Sequence, residues 1–174
     1  MVAARTILAV ALAASLGLAC AQLGVAPRSH FKIVERFPDR LGEIETLGVE
    51  VKSALPDGSV SEADLEKLSA FFSDGLRETG NFGAVVNLNS GGNAKDVGLV
   101  LTVDINLLKA ATPEERKKSI PSHLHGIISL RNRVTGRNLG TATIWATGSG
   151  LDLTTNYMPK TVAEFTEAIR EILH

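Results

Sequence analysis

The stretch VGLVLTVDI, Val97 to Ile105, decides the fold, because its large side chains recur at every second position. Val97, Leu99, Leu101, Val103 and Ile105 share one side of an extended chain, while Thr102 and Asp104 fall on the other. The same period returns twice downstream. Leu124, Gly126, Ile128, Leu130 and Asn132 share a side of a second segment, and Thr135-Gly136 marks a turn. Ala142, Ile144 and Ala146 share a side of a third, within Leu139 to Thr147. Three extended segments in succession predict an antiparallel meander. The connection from Lys109 to Pro121 is densely charged and is expected to protrude.

Upstream of the meander the period changes to that of a helix. Ser61 is placed to cap free backbone amides, with Asp64 three residues later in the first turn. Leu65, Leu68, Phe72 and Leu76 then form one stripe at spacings of three and four. Gly80-Asn81 suits the stop, and Phe82 to Leu88 reads as a strand. A helix between strands predicts a crossover, which joins parallel strands. Before it, Phe31 to Phe37 reads as a strand with Phe31, Ile33, Glu35 and Phe37 on one face. Ile44 to Val51 is a second extended piece, and Pro56-Asp57-Gly58 is a turn signal. At the far end, Thr161 and Glu164 have the capping-box spacing ahead of a stripe of Val162, Phe165, Ile169 and Ile172. The expectation is a single α/β domain over residues 31–174. It is a two-layer domain, a mixed sheet with an antiparallel meander and two covering helices. Periodicity leaves the strand order open.

Residues 1–21, MVAARTILAVALAASLGLACA, read as an export signal: Arg5, an apolar run from Ile7 to Leu18, then small residues and Cys20. The run is shorter than the roughly 20 apolar residues that span a bilayer as a helix. Two cuts compete. Ala19-Cys20-Ala21 is a small-x-small site that would leave Gln22 first and release a soluble protein. The alternative makes Cys20 the first residue and the site of lipidation. That stretch resembles a bacterial lipobox, although Gly17 stands where a large apolar residue is usual. Residues 22–30 then form a tether. Either cut leaves no free thiol, so a disulfide scaffold and a cysteine metal site are both excluded. Loss of residues 1–21 removes Arg5 and leaves 17 basic and 19 acidic residues, a formal charge of −2. That balance provides no general attraction for nucleic acid or anionic lipid. Membrane attachment would come through lipid on Cys20.

From about Phe31 to Leu173 the chain resembles the lipoproteins of domain-of-unknown-function family 4410. It is more distantly similar to curli-secretion and penicillin-binding-protein-activator lipoproteins. The resemblance lies in FKIVERF, TLGVEV, LRETGNFGAVV, GLVLTVDI and ISLRNRVTGRNLGTATI. It implies an exported envelope protein with an α/β domain, and the distant relatives assemble envelope machinery by protein contacts. It brings no catalytic residues.

No reactive constellation emerges from the residues themselves. There is no G-x-S-x-G elbow, Gly91-Gly92 lacks the Lys-Ser/Thr of a phosphate loop, and no G-x-G-x-x-G opens a helix. His123 and His125, two apart on a strand, point to one side and could contribute to a zinc or copper site. Further ligands would have to come from residues such as Asp104, Glu114 or Glu115. Trp145 is out of phase with Ala142, Ile144 and Ala146, which makes it core or an exposed anchor depending on which face the helices cover. Arg131 and Arg133 oppose Leu130, and without interleaved aromatics they are no nucleic-acid signature.

The expected function is therefore that of a non-enzymatic protein in the periplasm or anchored in the cell envelope. It would act by protein binding, envelope assembly or self-association, through an interface at Trp145 with Arg131 or Arg133, and with no cofactor. The rival is a small metal-dependent periplasmic enzyme using His123 and His125.

Overall fold

The computed structural model describes residues 28–38, 46–56, 59–93, 95 and 97–174. The export segment, Cys20 and residues 22–27 of the expected tether lie outside the described residues. Strand β1 spans Arg28–Glu35, β2 Thr46–Ser53, helix α1 Glu62–Arg77 and β3 Ala84–Asn87. β4 follows at Leu99–Lys109, α2 at Pro113–Lys117, β5 at Ser122–Asn132, β6 at Asn138–Gly148 and α3 at Lys160–Leu173. The six strands form one mixed sheet in the order β1-β6-β5-β4-β2-β3.

The predicted meander is β4-β5-β6, paired antiparallel throughout. The predicted crossover is β2-α1-β3, whose strands run parallel, and β4 pairs parallel on the other side of β2. The result is an α/β fold of two layers. α1 and α3 lie on one face of the sheet, where Leu47, Leu101, Val103, Leu124, Ile128, Ile144 and Ala146 are all buried. The helices meet each other through Phe72 and Phe165, stacked at 5.3 Å between ring centroids. They also approach closely at Gly75, where a Cβ would lie 2.5 Å from the Thr166 methyl.

Capping chemistry separates the helices. Ser61 Oγ accepts from the Asp64 amide at 3.1 Å, as the sequence predicts for α1. The expected box at Thr161 and Glu164 is not formed. α3 starts two residues earlier, with Pro159 as its N-cap and no side-chain cap, and Thr161 Oγ1 donates instead to the Gly150 carbonyl at 2.7 Å. The full capping box belongs to α2, inside the charged connection: the Glu115 amide donates to Thr112 Oγ1, and the Thr112 amide donates to the Glu115 carboxylate.

β1 also departs from expectation. It begins at Arg28, so Arg28, Ser29 and His30 belong to the sheet rather than to the tether. A register shift between Ile33 and Glu35 puts these two on opposite faces. Ile33 pairs with Ala142 on the helix side, and Glu35 pairs with Thr141 on the other. Phe37 returns to the core, its ring lying where a Cβ of Gly140 would be.

Candidate functional site

The second face of the sheet carries no covering helix among the described residues, although Leu88 and Val97 close over Gly48 at its β2 end. Strand alternation sends Thr141, Thr143, Trp145 and Thr147 of β6 to this side, all partly exposed, while Ala142, Ile144 and Ala146 are sealed under the helices. Trp145 is therefore not core. Register places its neighbours: His30 of β1 lies opposite it on one side and His125 of β5 on the other, with Leu107 of β4 beyond. His123 belongs to the adjacent row, between Thr147 and Lys109.

Three of the four histidines thus gather on one end of the open face around one tryptophan. The His30 and Trp145 rings are 6.0 Å apart and tilted by 36°. The His123 and His125 rings are 6.1 Å apart and nearly perpendicular. Partial burial, and secondly the neighbouring charge of His123, lower the pKa of His125 below its ordinary 6.5. Towards the middle of the face Ile127 is 39% exposed, an apolar side chain between Thr143 and Asp104. Cations stand towards the margins: Lys32, Lys52, Lys109 and Arg131 are all exposed.

The expected grouping of Trp145 with the arginines does not form. Arg131 shares the open face, but it lies six residues along β5 from His125, the partner of Trp145, about 20 Å away at strand rise. Arg133 lies past the end of β5, where its guanidinium donates to the Lys95 carbonyl at 3.2 Å.

The expected metal ligands are also dispersed. Asp104 lies in a different row, paired with Ile127 and Lys52. Glu115 is engaged in the α2 cap and lies 3.5 Å from Lys109. Hydrogen bonding to Thr112 holds its carboxyl below the ordinary 4.5. No group of three or more His, Cys, Asp or Glu placed to hold a metal occurs among the described residues. His123 and His125 provide two ligands, and His30 is separated from His125 by the whole of β6.

A separate open cleft of about 650 Å³ lies at the opposite end, lined by Glu35, Arg36, Phe37, Arg137, Asn138 and Leu139. Glu35 accepts from Thr141 Oγ1 at 3.1 Å and from the Asn138 amide nitrogen. Neither this cleft nor the His30–Trp145 contact carries a sequence signal. Each depends on β1 meeting β6, more than a hundred residues downstream.

No family model matches the chain, and no curated protein matches it. Solved structures with a similar fold are known. The chain is similar to the PelC dodecamer from Paraburkholderia phytofirmans, with 13% identity and a TM-score of 0.55. The match covers 85% of this chain and 97% of that one. A point variant of the same dodecamer gives 12% identity and a TM-score of 0.58 at the same coverage. A Xanthomonas campestris protein of domain-of-unknown-function family 330 is 11% identical, with a TM-score of 0.46 over 82% of this chain and 87% of that one. At these identities the likeness is one of fold.

Proposed function

We propose that this is an exported cell-envelope protein that acts by binding and assembly, with the open sheet face around Trp145 as its contact surface. The observation that carries the reading is that face: eleven-residue strands side by side, with one layer of helices on the other side only. β1, β6, β5, β4 and β2 span roughly 20 Å by 35 Å at standard strand dimensions, about 700 Å², close to the 800 Å² per partner of a standard interface. An aromatic anchor ringed by polar and charged groups is the usual composition of such a surface.

Self-association is the form of binding favoured, because PelC, which shares the fold, assembles as a dodecamer. Arg5 and the apolar run to Leu18 support export, and Cys20 supports attachment through lipid. The test uses the full chain as its source cell processes it. Mass analysis of the mature N-terminus separates acylated Cys20 from free Gln22, and a chain retaining Met1 overturns export. Light scattering then compares wild type with Trp145→Ala. A loss of about 2 kcal/mol at an aromatic anchor weakens association roughly thirtyfold. A wild-type protein that is monomeric at every concentration overturns self-association.

The metal-dependent alternative rests on the closeness of His123 and His125. Stoichiometric metal in the folded protein, lost in the His123→Ala/His125→Ala double variant, would favour it, and metal-dependent turnover would establish it.

A further inference from the structure

We propose that the open sheet face is covered by the helical layer of a second copy of this chain, head to tail, rather than by the open face of that copy. The inference rests on the self-association reading above and names the two surfaces that meet. Its basis is a difference in charge between the two sides of the domain. α1 and α3 carry seven carboxylates against four cations, a formal balance of −3. Two of those cations are already occupied within the layer, Arg77 with Asp74 at 2.6 Å and Arg170 with Glu167 at 2.8 Å. Glu66 and Glu171 are exposed on α1 and α3.

The open face has the opposite character. Four cations with described side chains, Lys32, Lys52, Lys109 and Arg131, stand there against Glu35, Glu50 and Asp104, with Lys52 paired to Glu50 at 2.9 Å and Lys109 to Glu115 at 3.5 Å. Over these residues its balance is +1 with neutral histidines, and each imidazole that takes up a proton adds to it. Helices of 16 and 14 residues, at 1.5 Å per residue, form a layer about 24 Å long and two helix diameters wide, enough to cover most but not all of the length of the open face. Opposite charge favours the heterologous pairing and orients encounter, whereas two open faces would set like charges against each other. A heterologous contact leaves one free surface of each kind at every step, so it closes into a ring or continues as a filament.

The two pairings respond oppositely to acid. Histidine gains charge between about pH 8 and 5, where carboxylates remain ionised. In register, His123 lies beside Lys109 and, across Thr147, shares a row with Arg28; Lys32 and Asp104 occupy the next row beyond His30 and His125, and Glu115 of α2 is drawn to Lys109. Against an acidic helical layer, protonation strengthens the contact. Against a second open face it weakens it, since the added positive charge would then fall on both sides of one interface.

The experiment measures association of the full chain by light scattering and native mass spectrometry at pH 7.5 and 5.5, with circular dichroism to verify the fold. Three variants accompany wild type. Lys32→Glu/Arg131→Glu reverses the open face, Glu66→Lys/Glu171→Lys reverses the helical layer, and the quadruple variant reverses both. The expected result is that each one-sided reversal raises the half-association concentration at least tenfold, and that the quadruple variant recovers most of it. Wild type tightens at pH 5.5. A helix-layer reversal that associates like wild type, or looser association in acid, overturns head-to-tail pairing while leaving self-association standing. Monomeric wild type overturns the underlying reading itself.

Discussion

Alternate residues of β6 lead opposite lives. Ala142, Ile144 and Ala146 are sealed beneath α3 and the rest of the core, while Thr143, Trp145 and Thr147 remain partly exposed on the other side. The covered side is held chiefly by packing, with Phe72 against Phe165 at its centre, and Ser69 of α1 adds a hydrogen bond to Asn87 of β3 at 2.7 Å. The open side is a mixed surface of tryptophan, histidine, threonine and marginal charge. One strand thus divides its side chains between holding the domain together and presenting a surface. A substitution should report which of the two it touches.

The largest expected effect is on the covered side. Phe165→Ala removes a fully buried ring from the contact between helix and sheet and should cost about 3–5 kcal/mol, read as a lowered urea midpoint. Trp145→Ala should cost the isolated domain about 1 kcal/mol or less, because the ring is only partly buried, with its main effect on association. Equal losses from the two substitutions would break the distinction between the faces. Ser61→Ala should cost about 1 kcal/mol through the lost cap on α1, whereas Pro159, which provides no side-chain cap, has no such contribution to lose.

The smallest effect is a pH dependence on the open side. His125 has a folded pKa below its ordinary 6.5, chiefly through burial. The unfolded chain therefore binds this proton more tightly. The associated stability is complete above about pH 6.5 and is lost as pH falls from there through the lowered folded value. His125→Gln should flatten the urea midpoint against pH in that window. An unchanged slope would show that the site is as well solvated as free histidine. Association with an acidic partner surface would oppose this loss, so the measurement belongs at concentrations where the protein is dispersed.

Much of the covered side was legible in the sequence, because burial on one face imposes a period. The alternation at Leu99–Ile105, Leu124–Leu130 and Ala142–Ala146 matches β4, β5 and β6, and the Ser61 cap with its apolar stripe matches α1, whereas Val97, expected on the same side as Leu99, lies before β4 and packs over Gly48 on the opposite face. What escaped lacks such a period. β1 extends back to Arg28 because backbone pairing with β6 asks little of side-chain pattern at an edge. A shift at Val34 then inverts the face of Glu35. Capping boxes at Thr112 and at Thr161 look alike as spacing. Only Thr112 lies just ahead of a helix, while the Thr161 hydroxyl is drawn to the Gly150 carbonyl. The open face was readable in part: Trp145 was out of phase with its buried neighbours, but its pairing with His30 required a strand order that periodicity does not supply.

The pairing of β1 with β6 also sets an order of events during folding. Arg28 lies opposite Thr147, 119 residues later, while the β4-β5-β6 meander joins segments that are close in sequence. Local pairings incur the smaller loop-closure entropy and form first. β6 must therefore exist before β1 has anywhere to go. Until β1 arrives, the outer edge of β6 presents unpaired amides and carbonyls, the kind of template on which chains aggregate. The first strand of the domain is then its closing piece, and it shields the last strand from other unfinished chains.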